Sequence, residues 1–324
     1  MTEYRFPISE VKEQLARAKN ITILTHLNPD ADTIGTGLGI FNILSKDKSK
    51  KVEIVNASNM LPMYLDFLPS FEKIKYKMDF EDSLIISCDC GSIDRLGFDL
   101  KGKEILNIDH HESNQYYGTI NVVIPEYASA SQVAYRLFQA FYNIEIDAAT
   151  CFYAALLSDT RYFTTSFVNQ EVFEVAKELV DIGAESAKIA FHFTQRRSLS
   201  SLRILEKALG SLTLHQEAKV AVLMVTKENI EATGTSIPDM EGIVDYAKSL
   251  VTVEVALFAM ELEGAIRISL RSKKADVSKV AIAFGGGGHK LAAGFTIKES
   301  GLQESIDTIL EKIKALGLLD EKKK

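Results

Sequence analysis

No apolar stretch in the 324-residue chain nears the roughly 18 residues that a membrane helix requires. The longest apolar runs, such as Phe152–Leu157 and Val220–Val225, read as a core helix and a core strand. The N-terminus, Met1-Thr-Glu-Tyr-Arg-Phe-Pro7, has no basic region leading into an apolar one, so no secretory signal is expected. Cysteine is scarce: Cys88, Cys90 and Cys151 form an odd set without C-x-x-C spacing. That excludes a disulfide framework and suits a reducing cytoplasm. An excess of basic charge is also missing, since 37 Lys and Arg face 44 Asp and Glu, for a net charge of −7. A protein that grips long nucleic acid neutralises many phosphates, so a long strand and a membrane are not expected partners. A short phosphate-bearing substrate, held at a few points, fits an acidic chain better.

With 46% hydrophobic and 25% charged residues, the composition is that of an ordinary globular protein. At roughly 150 residues per domain, the length predicts two domains. In the first half, short β-branched runs (Ile21–Thr25, Lys51–Val55, Leu84–Cys88, Glu104–Ile108) alternate with helical patterns at 34–44, 129–141, 148–157 and 170–180. Such alternation predicts an α/β fold with a parallel sheet. The pattern weakens near 185–210, where a helix over 199–209 is expected. A second strand series follows (Ala218–Val225, Val251–Met260, Ala265–Leu270, Ala292–Ile297). Short helices at 240–248 and 277–283 interrupt it, and a helix at 306–315 closes it.

Chemistry gathers at the ends of these elements. The first strand runs into His26-x-x-x-Asp30-x-Asp32, the third into Asp89, and the fourth into Asp109-His110-His111. The helix over 148–157 ends beside Asp159. In a parallel α/β sheet, ligands bind beyond the carboxyl ends of the strands. Alone, Asp30 and Asp32 would read as helix caps; recurrence at three strand ends points to a common site. Carboxylates with some imidazole and no thiolate suit manganese, or alternatively magnesium, better than zinc. So many ligands exceed the needs of one ion and predict a pair roughly 3.5–4 Å apart bridged by a carboxylate.

A second cluster lies near the C-terminus, at Phe284-Gly285-Gly286-Gly287-Gly288-His289. Successive glycines can aim backbone N–H groups at an anion, and His289 can bind phosphate or a sugar edge. A plain turn before the next strand is the alternative. Arg271, at the end of the strand Ala265–Leu270, offers a guanidinium fork suited to phosphate. Arg95 is a further candidate phosphate contact, with an ion pair to Asp94 or a neighbour as the alternative. Ser131 is a candidate substrate contact, with helix capping alongside Ser129 as the alternative. Cys88 and Cys90 flank Asp89 and are expected to face away from it, into the core.

Taken together, His26-x3-Asp30-x-Asp32, Asp89, Asp109-His110-His111 and Asp159 resemble the signature motifs of the DHH phosphoesterases. The Ser-Leu-Arg-Ser and Gly-Gly-Gly-Gly-His elements are similar to the DHHA1 domain that accompanies them. The variant Asp30-Ala31-Asp32-Thr33, where Asp-Gly-Asp-Ala is commoner, leaves the ligand spacing intact. The resemblance implies a DHH catalytic domain over 1–195, a helical linker over 196–212 and a smaller α/β DHHA1 domain over 213–324. It implies one Mn²⁺ held by His26, Asp30 and Asp89. A second would be held by Asp32, Asp89, His110 and Asp159, with Asp89 bridging. His111 would face the substrate, and Asp109 would orient its neighbours. The implied activity is that of the compact bacterial oligoribonuclease/pAp phosphatases. These cleave very short RNAs (pGpG among them) and 3′-phosphoadenosine 5′-phosphate by a two-metal-activated hydroxide, with the substrate held between domains. Pyrophosphatase or RecJ-like exonuclease activity and non-catalytic nucleotide binding are the alternatives, and a homodimer is left open.

Overall fold

The structure, a computed structural model, describes residues 6–298 and 300–319. The chain divides into two compact units after Arg196. In the first unit, β1 (Asn20–Thr25) follows α1 (Ile8–Arg17) and leads into α2 (Ala31–Leu44) and β2 (Lys51–Asn56). Next come β3 (Ile74–Lys75), β4 (Leu84–Cys88), β5 (Ile105–Asp109) and β6 (Ile120–Val123). Four helices complete the unit, namely α3 (Ala130–Phe138), α4 (Ile146–Asp159), α5 (Gln170–Ile182) and α6 (Ser186–Thr194). All six strands are parallel, in the order β3-β2-β1-β4-β5-β6. The chain builds outward from β1 to β3, then returns to lay β4 on the other side of β1. This reversal opens a crevice beyond the carboxyl ends of β1 and β4, the usual ligand position in open α/β sheets.

The sheet is buried on both faces, hence its β-branched, near-continuous apolar strands. Ile21, Ile23, Ile86 and Ile108 face a large core built with the helices, whereas Leu24, Val55 and Ile85 face a smaller one closed by Leu96 and Leu100. Helix α2 is buried along nearly its whole length. Its approach to α4 depends on Gly35 and Gly39. A Cβ at Gly35 would lie 2.7 Å from the Cys151 carbonyl, and one at Gly39 would lie 2.3 Å from the Phe152 ring. Gly35→Val therefore forces α2 and α4 apart and costs about 2–3 kcal/mol, read as a lower urea midpoint. An unchanged midpoint would show that the two helices are not in this contact.

The predicted strands match closely, but β5 starts and ends one residue later than expected, so Asp109 belongs to the strand itself. Helix α3 stops at Phe138 rather than 141, while α4 extends to Asp159, making that carboxylate the last helical residue. The short β3 and β6 and the helix α1 carry too little pattern to be read from sequence.

The second unit comprises α7 (Leu199–Gly210), β7 (Thr213–His215), β8 (Val220–Val225), α8 (Lys227–Thr233), α9 (Ile243–Lys248) and β9 (Val255–Leu262). It continues through β10 (Ala265–Ser272), α10 (Ser278–Ala283), β11 (Gly287–His289), β12 (Ala292–Lys298) and α11 (Leu302–Ala315). Its sheet has the order β11-β12-β10-β9-β8-β7 and is antiparallel except for β8 with β9. Helix α7 lies in the segment read as a connector, yet Ile204 and Ala208 bury its apolar face against Leu223 and Phe258 in this unit's core. Strand β9 begins at Val255 rather than 251, where Val251 is 95% exposed in a turn. Among the described residues, no helix is long and apolar enough to cross a membrane.

Candidate metal centre

Three neighbouring strands, β1, β4 and β5, deliver the acidic and imidazole groups to one place. The loop after β1 is tied down by side chains of its neighbours. Thr33 Oγ1 donates to the Cys88 carbonyl (2.7 Å), and the Asn56 amide donates to Thr25 Oγ1 (2.7 Å) and the His26 carbonyl (2.9 Å). Asp30 is the N-cap of α2, with Oδ1 accepting from the N–H groups of Asp32 (3.1 Å) and Thr33 (3.2 Å). The capping and metal-site readings of Asp30 are therefore compatible, because Oδ1 also lies 3.8 Å from His26 Nε2. Asp32 is buried and accepts from the first N–H groups of α3, Ala130 (2.7 Å) and Ser131 (3.1 Å), at the helix end that favours anions.

Asp89 stands at the centre. Its Oδ2 lies 3.5 Å from His26 Nε2, while its Oδ1 lies 3.5 Å from His110 Nε2. The same His110 nitrogen is 3.5 Å from Asp159 Oδ2 and 3.8 Å from Asp32 Oδ2. Two donor groups result, one from His26, Asp30 and Asp89, the other from Asp32, Asp89 and His110, with Asp159 beside the second at His110. Two donors about 2.1 Å from one small cation are themselves about 3–3.5 Å apart, so both groups are of ion-binding size. Asp89 Oδ1 is buried without a hydrogen-bond donor, an arrangement costly unless a cation supplies the missing charge. His110 Nδ1 faces the Tyr127 carbonyl (3.1 Å) and His26 Nδ1 faces the Leu27 carbonyl (2.9 Å). A proton on His110 Nδ1 then leaves its Nε2 lone pair turned toward the carboxylates. No thiolate joins them. Asp89 has φ of 55°, which breaks strand alternation and sends Cys88 into the larger core and Cys90 into the smaller one. The expectation that both cysteines share one side away from Asp89 is thus corrected.

The electrostatics carry the mark of crowded like charge. Burial, then the charges of Asp89 and Asp159, hold Asp32 well above the usual carboxylate range. Burial likewise raises Asp159 to about 6, with His110 pulling against it and Asp89 adding to it. Burial opposes a charged His110, but the close approach of Asp89 and the charge of Asp159 outweigh it and raise its pKa well above the ordinary value. For Asp89 the balance reverses: burial pushes up, yet His111, His110 and His26 together hold it well below.

His111 Nδ1 pairs with Asp109 Oδ1 at 2.6 Å and lies 3.5 Å from Asp89 Oδ1. Asp109 is fully buried and also accepts from the His110 N–H (2.8 Å) and from the Asn114 amide (2.5 Å). Sequence reasoning missed Asn114, and its one signal there is an amide five residues past Asp109. Arg95 is exposed and brings Nη2 to within 3.2 Å of His26 Nδ1. Ser131 requires a correction as a substrate contact. It is buried, its hydroxyl pairs with Ser129 (2.7 Å), and its backbone supports Asp32.

On the second unit, the end of the glycine run is a strand rather than a plain turn. Gly287–His289 form the edge strand β11 on β12. Close approach requires the glycines, since a Cβ at Gly286 would meet the Gly294 carbonyl at 2.3 Å and one at Gly288 (φ 138°) the Ala292 carbonyl at 2.5 Å. Arg271 pairs in register with Ala292, and Ala292 with His289. Arg271 and His289 therefore share one face on either side of a small residue, two strand spacings or about 10 Å apart.

Residues 20–156 match the model of the DHH family, N-terminal domain, and residues 217–316 that of the DHHA1 domain. The chain is 28% identical over 302 residues to the bifunctional oligoribonuclease and PAP phosphatase NrnA of Thermus thermophilus, covering 91% of this chain and 89% of that protein. It is 24% identical to the protein of the same name from Bacillus subtilis, covering 89% and 93%. Among solved structures, an exopolyphosphatase-related protein from Bacteroides fragilis superposes with a TM-score of 0.87 at 27% identity, covering 95% of this chain and 96% of that one. Matched in both of its units, the chain belongs to the DHH/DHHA1 family.

Proposed function

We propose that the protein is a divalent-metal-dependent phosphoesterase. It hydrolyses short oligoribonucleotides, dinucleotides such as pGpG included, to 5′-mononucleotides, and 3′-phosphoadenosine 5′-phosphate (pAp) to AMP. The observation that carries this reading is the division of Asp89, whose two oxygens each face a separate group of donors. Two donor groups that share one carboxylate would suit a pair of divalent ions, which would supply two-metal phosphoryl chemistry. The Thermus and Bacillus relatives, named for both activities, supply the substrate class. The net charge of −7 favours a short substrate over a long strand.

In this reading His26, Asp30 and Asp89 hold one ion, and Asp32, Asp89, His110 and Asp159 hold the other; manganese is the proposed metal. When bound, the ions lower the pKa of a water and draw charge from the phosphoryl oxygens. The chain supplies the rest. Asp109 fixes His111 with its Nδ1 proton inward, leaving Nε2 as the atom that, in the protonated ring, gives its proton to the departing oxygen. Arg95 places positive charge beside His26 and so opposes the rise in its pKa that Asp89 and Asp30 cause. On the second unit, Arg271 and His289 offer phosphate contacts on one sheet face.

Turnover of pAp, a diribonucleotide, pyrophosphate and a long single strand, measured side by side with Mn²⁺, tests the reading. Release of mononucleotide from the dinucleotide and of phosphate from pAp is expected, with little from the other two. Preference for pyrophosphate or for the long strand would replace it with a pyrophosphatase or exonuclease. Tight pAp binding without turnover would make the protein a nucleotide-binding module.

A further inference from the structure

Beneath the metal centre lies a buried array of side-chain amides that neither the motifs nor the proposed chemistry accounts for. Asn107, on β5, donates through Nδ2 to Asn114 Oδ1 (3.0 Å) and to Asn121 Oδ1 (3.1 Å). Its own Oδ1 accepts from Ser87 Oγ (3.2 Å), which in turn accepts from the Tyr117 hydroxyl (3.0 Å). Asn121 is locked by the Gly118 N–H (2.9 Å) and carbonyl (2.8 Å). The array spans β4, β5 and β6 and reaches the Asp109 carboxylate through Asn114.

We propose that Asn114 is a positioning residue that sets the plane of the Asp109 carboxylate and, through it, the tautomer and angle of His111. Asn114 uses its whole hydrogen-bonding capacity. Oδ1 accepts from the Tyr116 N–H (2.7 Å) and from Asn107, and Nδ2 donates to Asp109 Oδ2 (2.5 Å) and the Cys90 carbonyl (3.3 Å). Two donors facing Oδ1 and two acceptors facing Nδ2 forbid the flipped amide. Asp109 is consequently gripped on both oxygens, Oδ2 by Asn114 and Oδ1 by His111 and the His110 N–H. A carboxylate held at one oxygen only can rotate about its Cβ–Cγ bond and let the imidazole turn with it. Held at both, it presents Oδ1 to His111 Nδ1 in one orientation and keeps the proton on that nitrogen. Full satisfaction of a buried polar array also makes it rigid, which suits this task.

The inference rests on the reading of His111 as a substrate-facing group, and its test separates the two. In metal-free, full-length protein with ¹⁵N-labelled histidine, NMR reads the tautomer of His111, assigned by comparison with His111→Gln. At a pH high enough to leave the imidazole neutral, the native protein is expected to show the Nδ1–H form alone. Asn114→Ala should give a mixture of tautomers, and with Mn²⁺ a kcat lower by about 10- to 100-fold at a KM within about twofold. Asn114→Leu, which fills the same space without donating, should do the same and covers the case in which the alanine variant unfolds. An unaltered His111 tautomer in a folded variant overturns the proposal, whatever the loss of activity, because that loss would then be structural. If the native protein turns over none of the nucleotides, the functional reading fails while the NMR comparison still decides the role of Asn114.

Discussion

Replacing Asp89 with asparagine lowers kcat/KM on a diribonucleotide by about a thousandfold or more while the protein stays folded. Asparagine keeps the shape, and it tolerates the left-handed backbone that Asp89 adopts at φ 55°. It is neutral and offers one carbonyl oxygen where Asp89 offers two, so both donor groups lose the shared charge and one of them loses an oxygen. Asp89→Ala should lose at least as much activity and add about 1 kcal/mol of backbone strain. Steady-state kinetics beside a circular dichroism spectrum make the comparison. Activity of the asparagine variant within tenfold of native would mean that Asp89 bridges nothing.

Removing divalent ions should lower the melting temperature, and the loss should be larger at pH 8 than at pH 6. The signs follow from the crowded charges. Asp32 and Asp159 have folded-state pKa values above their unfolded ones, Asp159 at about 6, so their stabilising contribution is present at low pH and is lost as pH rises through those values. His26 and His110 are also raised, and their contribution falls away above the unfolded histidine range, near 6.5. The depressed Asp89 acts only in acid, below the window considered. The metal-free protein is thus weakest at pH 8, where the same groups are best prepared to bind a cation. At an ion concentration about 100 times Kd, the rise should be about 5–10 °C for a unit of this size. Scanning calorimetry with and without chelator gives the answer. An equal or larger shift at pH 6 would contradict the donor set.

Much of this site is legible in the sequence because each donor sits at a strand or helix end, where pattern changes abruptly. His26, Asp30, Asp32, Asp89, Asp109, His110, His111 and Asp159 all stand at such junctions. Periodicity also reveals the parallel strands, since buried β-branched runs have no amphipathic disguise. What escapes detection is set by tertiary contact. Ser131 looks like a substrate contact because nothing local says that its hydroxyl is taken by Ser129 and its N–H by Asp32, nearly a hundred residues earlier. The cysteine pair misleads because alternation presumes an extended residue at Asp89, and the backbone there is left-handed. The glycine run reads as a loop because its short strand β11 is defined by close approach to β12 rather than by side-chain pattern. Asn114 is invisible for a related reason, its importance lying in how the fold aims one amide at Tyr116, at Asn107 and Asp109 of β5 and at the more distant Cys90.

The capping role of Asp30 ties the first turn of α2 to the occupancy of the site. One carboxylate both closes that turn and faces His26, so fraying of the helix and departure of a cation draw on a single side chain. By reciprocity, a cation that loads this position must slow amide hydrogen exchange at Asp32 and Thr33. Any ligand that unwinds the turn must loosen the ion.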